Sequence, residues 1–292
     1  MFDLIRGFAA ADDRIRAVYM NGSRANPSAP RDEYRDYDIV FTVTETRTFI
    51  ENKDWIKKFG TPLIIQEPDW NDIQINIGGG QKNIYDFNRR YAWLMLFDDG
   101  VRIDLGIEIA EETRANYLDD KLTVALLDKD GILPDIPPPT DIDYRVRRPV
   151  ENEFLACCNE FWWCLNNVAK GVARDELPYA MEMYGNPVRE ALNMMVEWHI
   201  GINTDFRVSA GKMGKYFKKY LAPELYEKYA ATYTRADYGE MWDGIYTMCG
   251  LFRELAIGVA DRLGFTYRER EENGMLKYFE MVRAGIKNSA GR

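Results

Sequence analysis

The chain is poor in several residues that commonly carry chemistry. Its 292 residues include one histidine, His199, and four cysteines. Three of these, Cys157, Cys158 and Cys164, fall in the helix-like segment EFLACCNEFWWCLNNVAK. Adjacent cysteines on a helix point in different directions and cannot clip a metal as C-x-x-C does. Cys249 stands apart. Buried free thiols are therefore expected, which fits a reducing cytoplasm. His199 precedes Gly201 at a predicted helix end, where capping or packing suits it better than catalysis. No apolar run is long enough to span a bilayer. The N-terminal MFDLIRGFAAADDRIRAVYM has acids early and lacks the basic-then-apolar pattern of a signal peptide. A cytoplasmic protein without a membrane partner is expected. Positive charge is also short, with a net charge of −9 and a pI near 5.0. Proteins that neutralise many nucleic-acid phosphates are usually basic over a broad surface. Nucleic acid is thus not the expected partner. An acidic cleft focuses its field on a cationic small molecule instead.

The chain does have core-forming residues, 46% hydrophobic and 13% aromatic, and a length that suggests two domains. The first half reads as mixed α/β: a helix from Asp3 to Arg14, a strand from Ile15 to Met20, and a second strand running to Val43. TETRTFIENKDWIKKFG follows as a helix, and Leu63 to Gln66 and Ile73 to Ile77 as short strands. YAWLMLFDDGVRIDLGIEIA has two apolar runs around Asp98-Asp99-Gly100, a hairpin signature. Prolines 134, 137, 138, 139 and 149 then exclude regular helix or central strand. Beyond them the 3.6-residue period predicts helices over Glu151–Lys170, Leu177–Ile200, Met213–Tyr220, Pro223–Thr232, Tyr238–Leu263 and Gly274–Ile286, with Gly171, Gly201 and Gly264 as stops. The expected fold is α+β. Residues 1–135 form a mixed-sheet domain, 136–149 a linker, and 150–292 an all-α helical bundle. The aromatics Phe161, Trp162, Trp163, Trp198 and Trp242 suit its core.

Chemistry concentrates in NGSRANPSAPRDEYRDYDIVFTV, Asn21 to Val43. In a strand, side chains at i and i+2 share a face. Asp36 and Asp38 therefore point one way, and Tyr37, Ile39, Phe41 and Val43 the other. Two carboxylates on one face repel unless a cation intervenes, and hard oxygen ligands suit magnesium bound with substrate phosphates. Upstream, Gly22 and Ser23 close an apolar strand, where backbone N–H groups and a hydroxyl can hold phosphate oxygens. The same residues also fit a plain turn before an amphipathic strand with an acidic solvent face. Asp104 lies mid-strand among apolar neighbours, on the face of Arg102, Gly106 and Glu108. It completes a carboxylate triad if the hairpin packs beside the Asp-x-Asp strand. A wet edge strand is the other reading.

Gly-Ser, Asp-x-Asp and a later strand carboxylate resemble the DNA-polymerase-β-type nucleotidyltransferase superfamily. The strings NGSRANP, RDYDIVF, FDDGVRIDLGI, EFWWCLNNVAKG, RDELPYAMEM, MMVEWHIG and SAGKMGKYFKKYL together resemble the aminoglycoside 6-adenylyltransferases, nearly end to end. The resemblance implies a polymerase-β-like palm domain followed by a helical domain. It also implies transfer of AMP from ATP to a hydroxyl of a streptomycin-like aminoglycoside, with pyrophosphate leaving. Mg2+ is the implied cofactor, with ATP as co-substrate. By position, Asp36, Asp38 and Asp104 match the metal and catalytic carboxylates, with Asp104 either a ligand or the general base. Gly22 and Ser23 match the phosphate turn; Arg24 beside them is a candidate phosphate contact, with a surface salt bridge as the other reading. Gly106 departs from the family pattern, where a Thr is expected. Lys212 and Lys215 follow glycines near a predicted helix start and are candidates for the β- and γ-phosphates. Lys218 and Lys219 read as solvated, and Lys170 and Arg174 as weaker candidates. Tyr179 and Glu182 are candidates for a cationic-acceptor pocket. A nucleotide or RNA acceptor, or a non-catalytic nucleotide-binding module, are the alternatives, and a monomer or weak dimer is expected.

Overall fold

The computed structural model describes residues 1–76 and 86–289 of the chain, with side chains not described at 73–76 and 286–289. Two compact units result, Met1–Asp143 and Tyr144–Arg292.

The first unit is built on one six-stranded mixed sheet, ordered β3-β4-β5-β2-β1-β6. Helix α1 (Phe2–Ala11) leads into β1 (Ile15–Asn21), and a short α2 (Gly22–Ala25) follows directly. Strand β2 is Tyr37–Val43, and α3 is Arg47–Glu51. Then come β3 (Pro62–Gln66), α4 (Pro68–Asn76), the hairpin β4 (Arg90–Phe97) and β5 (Arg102–Ile109), α5 (Ala110–Asn116) and β6 (Val124–Asp128). The Asp98-Asp99-Gly100 turn closes the hairpin as its sequence predicts, with Gly100 N–H donating to the Phe97 carbonyl. Strand β2 is the pivot. It pairs antiparallel with β1 and parallel with β5.

Period-two alternation decides which face is dry. Val18, Met20, Ile39, Phe41, Val43, Trp93, Met95, Ile103, Leu105 and Ile107 form one core with Ile5 and Ala9 of α1. Its rings meet edge to face, as Trp55 and Trp93 do with centroids 5.1 Å apart. The opposite face carries Asn21, Asp38, Asp104, Gly106 and Glu108, and holds the candidate site.

The second unit is helical: α6 (Glu151–Ala173), α7 (Leu177–Met183), α8 (Arg189–Asn203), α9 (Phe217–Tyr220), α10 (Pro223–Ala230), α11 (Tyr238–Leu263) and α12 (Glu269–Ser289). Phe161 of α6 stacks flat on Phe252 of α11, with centroids 3.8 Å apart. All four cysteines are free and buried. Burial holds their thiols protonated, Cys164 pushed up to about 11 and Cys157 to about 12. Among the described residues no helix is long and apolar enough to cross a membrane.

Several predicted elements differ. Helix α1 stops at Ala11, because Asp12 accepts from the backbone N–H of Arg14 and turns the chain. The helix predicted after Val43 splits into α3 and a 3-10 turn over Asp54–Lys58. The strand predicted over Ile73–Ile77 is helix α4 as far as Asn76, and Ile77 lies outside the described residues. Pro68 at the first helical position and Asp69 in its first turn favour that helix. The single helix predicted over Leu177–Ile200 is interrupted by a π-turn at Tyr184–Val188, where Pro187 lacks the N–H of an α-helical ladder. The helix predicted over Met213–Tyr220 breaks into a 3-10 turn and α9, because Met213 takes φ 56°. Gly171 is no stop: α6 continues to Ala173, and the glycine lets α7 approach, since a Cβ there would lie 3.1 Å from Ala180 Cα. Gly201 likewise lies inside α8. Edge strand β6, an apolar run without alternation, escaped the sequence reading.

Candidate active site on the open face of the sheet

The site starts at the end of β1. Gly22 takes φ +74°, a left-handed conformation that glycine adopts without strain. A Cβ there would drive into the Asp38 carboxylate and lie 2.8 Å from its Cγ. The turn backbone therefore sits directly against Asp38, and only glycine allows this. Asn21 pairs with Asp38 in the antiparallel register, and its Oδ1 accepts from Thr123 Oγ1 at 2.9 Å.

On its other side Asp38 faces Asp104 in the parallel register of β2 and β5. Asp36 lies just before β2, beside the same end of the sheet. Asp38 is strongly perturbed. Burial first, then the charges of Asp104 and Asp36, push its carboxyl up to about 6, against the opposing pull of Arg102 and Arg24. Such crowding marks a place where a cation is favoured.

Arginines frame the carboxylates. Arg102 grips Asp104 with both prongs, Nε to Oδ1 and Nη2 to Oδ2 at 2.7 Å each, while its Nη1 is 3.6 Å from Asp36 Oδ2. Arg24 donates from Nε to the Asp36 carbonyl at 2.8 Å and from Nη2 to the Arg35 carbonyl at 2.5 Å. Its guanidinium also lies 3.6 Å from the centre of the Tyr37 ring. In this arrangement Arg24 clamps the entry to β2, a role its position beside the Gly-Ser turn did not suggest. Arg35 donates from Nη1 to the Ser23 carbonyl at 3.3 Å, and its buried Nε has no hydrogen-bond partner. Sequence reasoning passed over Arg35. The available signal was a basic residue directly before the first carboxylate.

Farther along the same face Tyr19 donates its hydroxyl to Glu108 at 2.8 Å, and its ring meets Tyr117 edge to face. Burial and the Glu108 charge push the Tyr19 hydroxyl upward. The stretch between the two polar clusters is lined by Val40 and Gly106. A Cβ at Gly106 would touch Val40 only at ordinary van der Waals distance, so the glycine widens the face without being sterically required.

Among the described residues no three His, Cys, Asp or Glu side chains stand at the spacing of a formed metal site. The guanidinium of Arg102 lies between Asp36 and Asp104. The donor chemistry nevertheless fits a hard divalent cation: carboxylate oxygens, mutual repulsion at Asp38 and a glycine turn alongside. Lys212 and Lys215 belong to the second unit, where both are exposed and Lys215 lies over the Tyr216 ring at 5.3 Å. Tyr179 and Glu182 lie on α7, and Glu182 accepts from Asn186. His199 lies in the last turns of α8 beside Asn203.

Comparison with known proteins shows the family of the chain. The family described as streptomycin adenylyltransferase matches residues 1–282. An aminoglycoside 6-adenylyltransferase of Campylobacter jejuni is 37% identical over 267 residues, 91% of this chain and 89% of that one. That of Bacillus subtilis is 35% identical over 290 residues, 98% of each chain. A solved structure of an aminoglycoside 6-adenyltransferase from Bacillus subtilis, 31% identical, covers 97% of each chain with a TM-score of 0.47. With the family matched over almost its whole length, the chain belongs to the streptomycin adenylyltransferases.

Proposed function

We propose that the protein transfers AMP from ATP to a hydroxyl of a cationic aminoglycoside of the streptomycin type. One observation carries the reading: Asp38 stands opposite Asp104 across β2 and β5, with the Gly22 turn packed against it. A glycine turn beside paired carboxylates suits a triphosphate bound with its cation. The Gly22–Ser23 turn receives the triphosphate. Mg2+ would be held by Asp36 and Asp38, and when bound it supplies neutralising charge to the phosphates. The acceptor oxygen forms a bond to the α-phosphorus while the bond from that phosphorus to the bridging oxygen breaks, and pyrophosphate leaves. The hydroxyl proton passes to Asp104, the carboxylate left uncommitted to the cation. Lys212 and Lys215 are proposed nucleotide contacts of the second unit. The net charge of −9 supports a cationic acceptor over a polynucleotide.

The test is pyrophosphate release from ATP and Mg2+ with streptomycin, then with a panel of other aminoglycosides. Release with streptomycin is expected. Silence across the whole panel overturns the reading.

A further inference from the structure

The carboxylates of the site already hold a cation, and it belongs to the chain. Arg102 binds Asp104 through two parallel bonds and reaches toward Asp36. Its charge also bears on Asp38. Unlike Arg24, which is fixed by two carbonyls and a ring, Arg102 is 45% exposed and lies at the open rim of the face. A guanidinium fork matches a carboxylate and a phosphate equally well.

Building on the proposed adenylyl transfer, we infer that Arg102 is a displaceable counter-charge. In the nucleotide-free protein its guanidinium neutralises Asp36 and Asp104. When ATP arrives, the guanidinium moves to phosphate oxygens and clears the carboxylates. This explains why the acidic side chains lie together yet short of metal-site spacing. It also makes cation and nucleotide binding reinforce each other. A cation alone must settle at Asp36 and Asp38 against the positive charge of Arg102, which Asp104 holds beside them, whereas a nucleotide draws that guanidinium onto its phosphates. Coupling of this kind is reciprocal.

The experiment uses the full chain and Mn2+ as the probe. Free Mn2+ is followed by electron paramagnetic resonance, with and without a non-hydrolysable ATP analogue. Wild type is expected to bind Mn2+ at least tenfold more tightly with the analogue, within the usual range of such couplings. Arg102→Gln is expected to bind Mn2+ alone roughly tenfold more tightly than wild type, with the coupling reduced to match. Arg102→Lys keeps the charge without the fork and falls between, and it carries the test if the Gln variant does not fold. The direction separates the inference from a purely structural role, because a loosened site loses cation affinity. Unchanged or weaker Mn2+ binding by both variants, with wild type still binding Mn2+ and analogue together, overturns the inference alone. No Mn2+ binding by wild type even with the analogue overturns it together with the reading of the reaction.

Discussion

The two units use apolar residues differently. In the sheet unit one face is dry and aromatic, and the other carries half-buried Asp38 and Asp104 at one end and buried Glu108 farther along. In the helical unit Phe161, Trp162, Phe252 and the four cysteines converge on a shared core. A strand must present two faces, so a sheet with one core has a second face free for chemistry. A bundle helix buries a stripe and leaves a broad solvated arc, where charged residues need no partner. Asp38 is therefore crowded and its carboxyl raised, while Lys212 and Lys215, in and just after a 3-10 turn of the helical unit, stand exposed.

Substitutions can break this contrast, beginning where packing is tightest. Phe252→Ala removes one ring of the Phe161 stack and is expected to destabilise by about 3–5 kcal/mol. Urea unfolding followed by circular dichroism measures it. A loss under about 1 kcal/mol would mean that the bundle repacks freely.

Asp38→Asn works in the opposite sense. Turnover is expected to fall by about 10²–10³-fold or more, while metal-free stability at pH 7 rises. The sign follows from the raised carboxyl. The folded state keeps its proton up to about 6, against an ordinary 3.8, so wild type loses stability as pH rises across that window. The variant has no such loss, and melting curves at pH 4 and 7 reveal the difference. A variant less stable than wild type at neutral pH would place the side chain in a structural network.

Asp237 caps α11, its Oδ1 accepting from Glu240 N–H at 3.0 Å. Asp237→Ala is expected to cost about 1 kcal/mol without touching turnover, as unfolding and pyrophosphate assays would report together.

The smallest effect belongs to His199. Burial lowers its pKa below the ordinary 6.5, against the raising influence of Glu254, and its Nδ1 is buried without a partner. The unfolded chain then takes up the proton before the folded one. Stability contributed by the neutral ring is present above 6.5 and falls away on acidification below it. His199→Gln should flatten the urea midpoint between about pH 5 and 7. An identical slope in both proteins would assign the dependence to other groups.

What was legible before folding was local. The alternation of Ile39, Phe41 and Val43 with Asp38 and Val40 determined which face is dry, and Asp98-Asp99-Gly100 fixed the hairpin. The turn at Gly22 was legible too, since the residue type announces the backbone it permits. Alternation was misleading at Ile73 and Ile75, where Pro68 and Asp69 start a helix instead. Only the tertiary structure brought β5 parallel to β2, set Asp104 against Asp38, and gave Arg102 and Arg24 their partners. Side-chain period and turn chemistry act over a few residues. Strand pairing and ion-pair choice join segments far apart in sequence, and no short-range pattern encodes which of them will meet.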